Sequence, residues 1–350
     1  MDQSIKNDLE ELLKRFKRLK TDKEKLHFAN DLYNLIDTSE YATHFDINKH
    51  MPSEVSLLLK SLDKAFEIER SNIRDQILNN LDTLEKIYES FINEYEKYIF
   101  IFKKGKDEGI VNLDDFHDFF KQFGRMDESY RRIRNEGNLF IIEGANMAFT
   151  VNFKILNKQY VFISTNNYND TISSIAHEMG HVHANNIYKD DRIDDYTLLV
   201  EFMSFLIQLC FTDYRLTTNE NQEKINLIST TYNLVRQSLA QIKIMKRHPD
   251  AFTPFKVDSK YKKEFDSLCD SNYDFERDTL YSQLYAIDYL LAINFYYQLK
   301  YGLDFNEVEK FYIENLNKYD LSSILQNIDL DACYQLLNEI HTNRPKKRIK

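Results

Sequence analysis

The sequence predicts a mainly α-helical protein that carries one small β-sheet or hairpin. Its 350 residues include only seven glycines and four prolines, and the stretch 53–104 contains neither. Sheet-rich folds need more of these turn-forming residues. Apolar side chains also recur at helical spacing over most of the chain. The length suffices for one large domain or for two lobes that share a cleft.

The N-terminal part of the chain is predicted to form a helical scaffold. Apolar residues repeat at helical spacing over 3–37, and Asp37-Thr38-Ser39 is predicted to stop that segment. The segment 53–104 predicts either one very long helix or a hairpin of two helices that turns near Asn79-Asn80. Its leucine stripes indicate packing against a core or a partner helix rather than a cofactor site.

Helical patterns continue through the rest of the sequence. We predict an N-terminal helical region over 1–130 and a second region over 131–350, the two sharing one continuous helical body. Helices are predicted over 114–123, 171–187, 219–247, 259–300, 306–319 and 331–340, and another is predicted to begin at Asp194 or Asp195.

The predicted sheet lies directly before the helix at 171–187. Residues 149–155 alternate apolar and polar side chains, which is the pattern of a strand with one buried face. After a turn at Asn157-Lys158, a second strand is predicted over 160–164. No other part of the sequence gives a comparable strand pattern.

Composition and charge exclude some partners. The net charge is −10, with acidic and basic residues mixed along the chain, whereas nucleic-acid binding needs a basic face. No apolar run is long enough to cross a membrane, and the N-terminal segment is charged throughout. Cys210, Cys269 and Cys333 are widely spaced, which is typical of free thiols in a reducing compartment. We therefore expect a cytoplasmic protein that binds neither nucleic acid nor a membrane; its oligomeric state is left open.

The helix at 171–187 contains a metal-binding pattern, His177-Glu178-Met179-Gly180-His181. Two imidazoles four residues apart lie on one face of a helix, so that both can bind one zinc ion with Glu178 beside the water on that ion. The alternative is a chance match of five residues, and the presence of a third ligand distinguishes the two. Ile187 occupies the position of the third histidine in a longer form of the motif, and His183 is expected to point away from the ligand face.

Glu201 is the predicted third ligand. It stands in the run 198–207, which is apolar except for Glu201 and Ser204 and is predicted to be a buried helix. An ionised carboxylate in such a place costs several kcal/mol unless it meets a cation, and no basic residue lies near it on that helix. Zinc would complete a set of two histidines, one glutamate and an open position, as catalytic zinc sites require. The alternative is an ion pair with a distant Arg or Lys.

These residues predict hydrolysis of a peptide bond. Zinc polarises a carbonyl and lowers the pKa of water to about 7, and Glu178 is predicted to carry the proton from the water to the leaving amine. The oxyanion then needs a hydrogen-bond donor. Tyr281 and Tyr285 are our candidates, because they lie four residues apart on one predicted helix face, followed by Tyr289. Core packing is the alternative explanation of this tyrosine stripe.

Together the motifs resemble the thimet oligopeptidase and oligoendopeptidase F family of zinc metallopeptidases. That family pairs HExGH with a downstream ExxS segment, here Glu201-Phe202-Met203-Ser204, and with a tyrosine-rich helix, here 273–301. The resemblance covers roughly 139–341. It implies a zincin-type helical peptidase with one Zn2+ per chain, and an edge strand within 148–164 that binds the peptide backbone by strand addition.

A zinc-dependent endopeptidase that cleaves oligopeptides or one dedicated peptide is the leading hypothesis. The predicted site comprises the ligands His177, His181 and Glu201, the base Glu178, and the donors Tyr281 and Tyr285. A zinc carboxypeptidase on the same scaffold is one alternative, and it would need a cation to hold the C-terminal carboxylate of the substrate. A non-catalytic binding protein that keeps the metal site is the other.

Overall fold

The fold is mainly helical with one small sheet, as the sequence predicts. The computed structural model describes residues 2–42, 47, 52–98, 100, 113–142, 148–164, 168–189, 192, 197–214, 220–249, 259–269 and 279–342. Within these ranges the helices are α1 (Asp2–Phe16), α2 (Asp22–Ala42), α3 (Ser53–Asn79), α4 (Leu81–Tyr95), α5 (Asp115–Phe120), α6 (Met126–Asn135), α7 (Tyr168–Ile187), α8 (Phe202–Tyr214), α9 (Glu220–Arg247), α10 (Lys262–Cys269), α11 (Thr279–Lys300), α12 (Phe305–Lys318), α13 (Leu321–Leu325) and α14 (Leu330–Thr342). The strands are β1 (Leu139–Ile142), β2 (Phe149–Phe153) and β3 (Lys158–Ser164).

The first helical segment differs from its prediction at the C-terminal end. Helix α2 continues to Ala42, so the stop predicted at Asp37-Thr38-Ser39 is wrong. The hydroxyl of Thr38 donates to the carbonyl of Asn34 at 2.7 Å, and the hydroxyl of Ser39 donates to the carbonyl of Ile36 at 2.8 Å. These side chains satisfy their hydrogen bonds inside the helix and therefore do not end it.

The break predicted near Asn79-Asn80 is confirmed. Asn80 leaves the helical conformation, with φ −117° and ψ 12°, and its side chain donates to the carbonyl of Gln76 at 2.8 Å. Helix α3 packs on α2, whereas α4 packs on α9 and α14. The two helices thus have separate packing partners and do not form a hairpin packed on itself. The part of this prediction over 101–104 lies outside the described residues.

The later helices follow the predicted pattern with small shifts. Helices α9, α12 and α14 lie where the sequence predicts them, and α13 is additional. The helix predicted over 259–300 is divided: a short 3-10 helix, Ser259–Tyr261, leads into α10, and α11 begins at Thr279. Residues 270–278, which include the start of the tyrosine-rich segment, lie outside the described part.

The sheet is mixed and has the strand order β1-β3-β2. Strand β2 pairs with β3 in antiparallel register, with Val151 opposite Tyr160, as the predicted hairpin requires. Strand β1 pairs with β3 in parallel, with Leu139 opposite Val161. The predicted hairpin next to α7 is therefore confirmed, and β1 adds a third strand that was not predicted. Within this sheet β2 has one neighbour, so its other edge faces away from β3.

Two cores lie on the two faces of the sheet. One face carries Val151, Phe153, Tyr160 and Phe162 against apolar residues of α1 and α2. The other face brings Val161 and Ile163 into the main core, which extends from α3 through α14. Tyr130 belongs to that core. The division into regions 1–130 and 131–350 stays a prediction. No helix in the described ranges is both long and apolar enough to cross a membrane.

Helices α7 and α8 are in close contact at Gly180. A Cβ built on Gly180 would lie 2.3 Å from the Cα and 2.8 Å from the backbone nitrogen of Ser204. Those atoms belong to the backbone of α8 and cannot rotate away. Any side chain at position 180 would therefore push the two helices apart, and both helices are buried in the main core.

The start of α8 corrects the prediction of a helix from Asp194 or Asp195. Those two residues lie outside the described part, but residues 198–200 form a turn and α8 begins at Phe202. Leu199 has a left-handed φ of 67°, which is incompatible with a continuous helix. The run 198–207 is buried as predicted except for the half-buried Val200, and Glu201 lies in the turn before α8 rather than within a helix.

We expect Gly180→Ala to lower the free energy of unfolding by about 1–3 kcal/mol, as overpacking of a core does. In an open helix the same change would stabilise, because alanine exceeds glycine in helix propensity by about 1 kcal/mol. Urea unfolding followed by circular dichroism measures the sign directly. A more stable variant would show that the crossing has room for a methyl group.

Candidate metal centre

The three predicted ligands lie together in the structure. His177 and His181 are one turn apart on α7, and Glu201 immediately precedes α8. The Nε2 atom of His177 is 3.0 Å from Oε2 of Glu201, and Nε2 of His181 is 3.5 Å from Oε1 of Glu201. One ligand atom from each residue lies within 4.8 Å of the other two. Tetrahedral zinc ligands are about 3.3 Å apart for bonds of about 2.0–2.1 Å, so the cluster has the right size.

Local hydrogen bonds hold Glu201 in this position. Its carbonyl accepts from the backbone nitrogen of Phe205 at 3.0 Å, which makes it the first acceptor of α8. The hydroxyl of Ser204 donates to the same carbonyl at 2.8 Å and to Oε2 of Glu201 at 3.2 Å. The serine of the ExxS segment thus fixes both the backbone and the carboxylate of the glutamate.

The charges of the cluster fit a divalent cation. Glu201 is 4% exposed, and in the described part its ion-pair partners are the two imidazoles, with no Arg or Lys among them. Burial raises the pKa of Glu201, but His181 and His177 outweigh it and hold that pKa well below its usual range. Burial also lowers the pKa of His181, yet the Glu201 carboxylate raises it to about 9. The carboxylate thus attracts positive charge to the imidazoles, and two nitrogens with one oxygen form the donor set that zinc prefers.

A further layer of contacts orients the ligands, and sequence reasoning missed it. The Nδ1 atom of His177 contacts Oε1 of Gln208 at 3.1 Å, and Gln208 donates to the hydroxyl of Ser173 at 2.7 Å. Oδ2 of Asp288, on α11, accepts from the backbone nitrogen of Glu201 at 2.8 Å. Such contacts fix the ring and carboxylate orientations at metal sites.

Asp288 carries the same sequence signal as Glu201. It is a single acidic residue inside the apolar helix α11, and it is 1% exposed. Burial raises the pKa of Asp288 well above its usual range, while the Glu201 N–H works in the opposite direction. A buried carboxylate within an apolar helix could thus have been flagged from sequence, although its partner could not.

Glu178 lies beside the ligands and contacts the sheet. The hydroxyl of Thr150, on β2, donates to Oε2 of Glu178 at 2.8 Å and to its carbonyl at 3.2 Å. Burial raises the pKa of Glu178, with the two imidazoles and this hydrogen bond opposing the effect. The edge strand and the residue predicted to act as a base are therefore in direct contact.

The tyrosine stripe divides between the cleft and the core. Tyr281 and Tyr285 line the cleft that holds the ligand cluster, and their ring centroids are 3.8 Å apart. Burial, followed by the nearby Glu201 carboxylate, raises the pKa of Tyr285 well above its usual range, so its hydroxyl stays protonated. Tyr289 stacks on Phe205 with a centroid distance of 3.7 Å and belongs to the core. The oxyanion roles of Tyr281 and Tyr285 stay predictions.

All six predicted site residues line one cleft of about 320 Å³. Its walls also include polar side chains that the sequence did not single out, notably Thr150 and Asn152 from β2, Lys154 directly after β2, and Asn185 from α7. His183 lies elsewhere: it is fully buried, and its Nε2 contacts Oε1 of Glu309 at 2.7 Å. The expectation that it points away from the ligand face is met.

Comparison with known proteins finds similar structures but no family model. No protein-family model matches the sequence, and neither does any curated protein. The structure of Pz peptidase A with an inhibitor is 14% identical, with a TM-score of 0.43 over 78% of this chain and 57% of its own. A Bacillus anthracis str. Ames protein described as an oligoendopeptidase F is 14% identical, with a TM-score of 0.45 over 95% of this chain and 69% of its own. Another protein described as oligoendopeptidase F is 11% identical, with a TM-score of 0.45 over 94% of this chain and 66% of its own.

The chain thus spans less than two thirds of the Pz peptidase A chain. Because every TM-score is below 0.5, these similarities do not support a function, and the functional proposal rests on the residues of the cleft. The mainly helical fold, with two half-buried histidines beside a buried glutamate, is consistent with a metallopeptidase.

We expect Asp288→Ala to weaken zinc binding by about 10- to 100-fold, because the backbone nitrogen of Glu201 loses its acceptor. Asp288→Asn keeps an amide oxygen at that position and should weaken binding much less. Competition with a fluorescent chelator measures both affinities, and the melting temperatures of the two variants show whether each is folded. Equal affinities in the alanine and asparagine variants would contradict the acceptor role.

Proposed function

We propose that the protein is a zinc-dependent endopeptidase that hydrolyses bonds within peptides. The observation that carries this proposal is the contact between the candidate ligand cluster, Glu178 and the edge strand β2 in one cleft. A cluster that only stabilised the fold would have no need of a fourth, non-ligating acidic side chain in the same cleft.

When bound, zinc supplies Lewis-acid chemistry: it polarises a peptide carbonyl and lowers the pKa of water to about 7. Glu178 accepts a proton from the attacking water and donates it to the leaving nitrogen. The hydrogen bond from Thr150 holds one oxygen of Glu178, which leaves the other for the proton. A hydroxyl of Tyr281 or Tyr285 donates to the oxyanion that forms on the carbonyl.

The edge of β2 supports an extended peptide as the substrate. An exposed strand edge binds such a peptide by backbone hydrogen bonds, and its alternate side chains then face the substrate. Thr150 and Asn152 are those side chains in β2, and both line the cleft together with Lys154, which directly follows the strand. The cytoplasmic location predicted from the cysteine spacing is part of this proposal.

We expect Glu178→Gln to keep zinc and the native fold but to lose about 10²–10⁴-fold in peptide hydrolysis, because the amide cannot accept the proton. Mass spectrometry of a digest of mixed unstructured peptides measures this, with chelated wild-type protein as a further control. Cleavage at internal bonds supports an endopeptidase, whereas release of C-terminal residues alone supports a carboxypeptidase. No cleavage by the zinc-loaded wild type, or equal cleavage by Glu178→Gln, would contradict the peptidase proposal.

The oxyanion role predicts a specific kinetic loss for the cleft tyrosines. At least one of Tyr281→Phe and Tyr285→Phe should lower kcat by about 10²-fold or more, with little change in KM, because the lost donor acts on the transition state. Tyr297→Phe, on the same helix but bonded to Gln335 at the surface, is the matched control. Wild-type kcat in both cleft variants would rule out these two donors.

A further inference from the structure

A second cavity adjoins the cleft at the end of β2. It has a volume of about 570 Å³ and lies between α6, the β2–β3 turn and the C-terminal end of α7. Asn152, Lys154 and Asn185 line both the cavity and the cleft, so the two spaces are adjacent along one groove. The charged residues that line it without relation to the ligand cluster are Arg125, Glu128, Arg132, Lys154, Lys158 and Lys189.

The cavity carries an excess of positive charge. Five of these six side chains are cationic, although the whole chain has a net charge of −10. Lys158 is offset by Asp8, whose carboxylate lies 3.0 Å from the ammonium nitrogen. Arg132 instead donates to the amide oxygens of Gln159 and Asn186, both at 2.6 Å. These neutral acceptors orient the guanidinium without cancelling its charge.

The other cations also lack a carboxylate partner within the described residues. The ammonium group of Lys154 donates to the backbone carbonyl of Arg192. Lys189 lies 3.5 Å from the side-chain oxygen of Asn157, a neutral group. After Lys158 is paired, Glu128 is the one acidic side chain among the described residues that line the cavity, together with the cationic Arg125, Arg132, Lys154 and Lys189. A cavity of this kind attracts an anion.

Strand β2 connects the candidate metal centre to the cavity. Thr150 contacts Glu178, and the extended part of β2 from Thr150 to Phe153 spans about 10 Å, with Lys154 directly after it. A peptide that binds alongside β2 with its scissile bond at Glu178 would therefore reach the cavity with a residue about four positions away.

We propose that this cavity is a substrate subsite that binds a carboxylate of the peptide about four residues from the cleaved bond. The inference rests on the proposed peptidase function and adds the substrate class: peptides with an acidic group at that distance. Two sources supply the same chemistry, the side chain of an internal Asp or Glu and the C-terminal carboxylate.

The test uses peptides in which one Glu is moved along a neutral background, each compared with its Gln counterpart. Every peptide is made with a free and with an amidated C-terminus. Calorimetric titration into zinc-loaded Glu178→Gln protein measures affinity without cleavage. One Glu position should bind about fivefold or more tightly than Gln in amidated peptides, or the free C-terminus should bind about fivefold or more tightly than its amide. The first result identifies a side-chain carboxylate, and the second a C-terminal one.

Variants then connect the preference to the cavity. Lys154→Gln and Arg132→Gln should each reduce the acidic preference towards a ratio of about one. Arg131→Gln is the matched control, because Arg131 is the neighbouring residue on α6, points to solvent and pairs with Asp127; it should keep the wild-type ratio. Since each ratio compares two peptides on one protein, a general loss of affinity or stability does not change it.

The outcomes separate the two proposals. A ratio of about one at every position and at both termini overturns the subsite, and so does an acidic preference that persists in both cavity variants. A clear preference with no hydrolysis by the zinc-loaded wild type would contradict the peptidase function but keep the anion site. Hydrolysis without any acidic preference would support the peptidase function and contradict the anion site.

Discussion

The close approach of α7 and α8 at Gly180 is the contact on which the candidate site depends. The two histidines come from α7 and the glutamate from the turn that begins α8, so the distance between these helices sets the distances between the ligands. A Cβ at position 180 would lie 2.3 Å from the Cα of Ser204, and Ser204 itself donates to the Glu201 carboxylate. Gly180 of the HExGH motif therefore contacts Ser204 of the ExxS segment directly. A change in either moves the ligands.

Three buried acidic groups make the site suited to a cation. Glu178, Glu201 and Asp288 are each less than 5% exposed, and none forms an ion pair with an Arg or Lys among the described residues. Removing three carboxylates from water is costly without compensation. The imidazoles compensate Glu201, and backbone or hydroxyl donors compensate Asp288 and Glu178. A divalent cation bound at the His177, His181 and Glu201 cluster would offset the remaining charge.

The sequence predicts those features that depend on neighbouring residues. The helix of His177 and His181 follows from local periodicity, and the hairpin before it follows from period-two alternation. Glu201 is identified because a carboxylate in an apolar run needs an explanation. The backbone conformation around Glu201 is not predicted. It includes the left-handed Leu199 and a hydrogen bond from the Glu201 N–H to Asp288, which lies on α11, 87 residues further along the chain. Residue propensity also gives a wrong prediction at Thr38 and Ser39. Such residues often end helices, but here their hydroxyls donate to backbone carbonyls within α2.

The basic cavity could not be predicted for a similar reason. Arg132, Lys154 and Lys189 come from a helix, a strand end and a loop, and each lies among mixed charges in the sequence. Only the packing of α6 and α7 against the β2–β3 turn places them together.

The alternation along β2 connects this cavity to the core and to the cleft. Its apolar residues Val151 and Phe153 pack the strand against α1 and α2. Because side chains alternate along a strand, Thr150 and Asn152 lie on the opposite face. With a divalent cation bound, the charges of Glu178 and Glu201 are offset, and the field along the groove then comes mainly from the cationic end. In the proposed complex a peptide carboxylate would be drawn to that end. Charge would then determine the direction in which an acidic peptide binds, while the strand edge would determine its extended conformation.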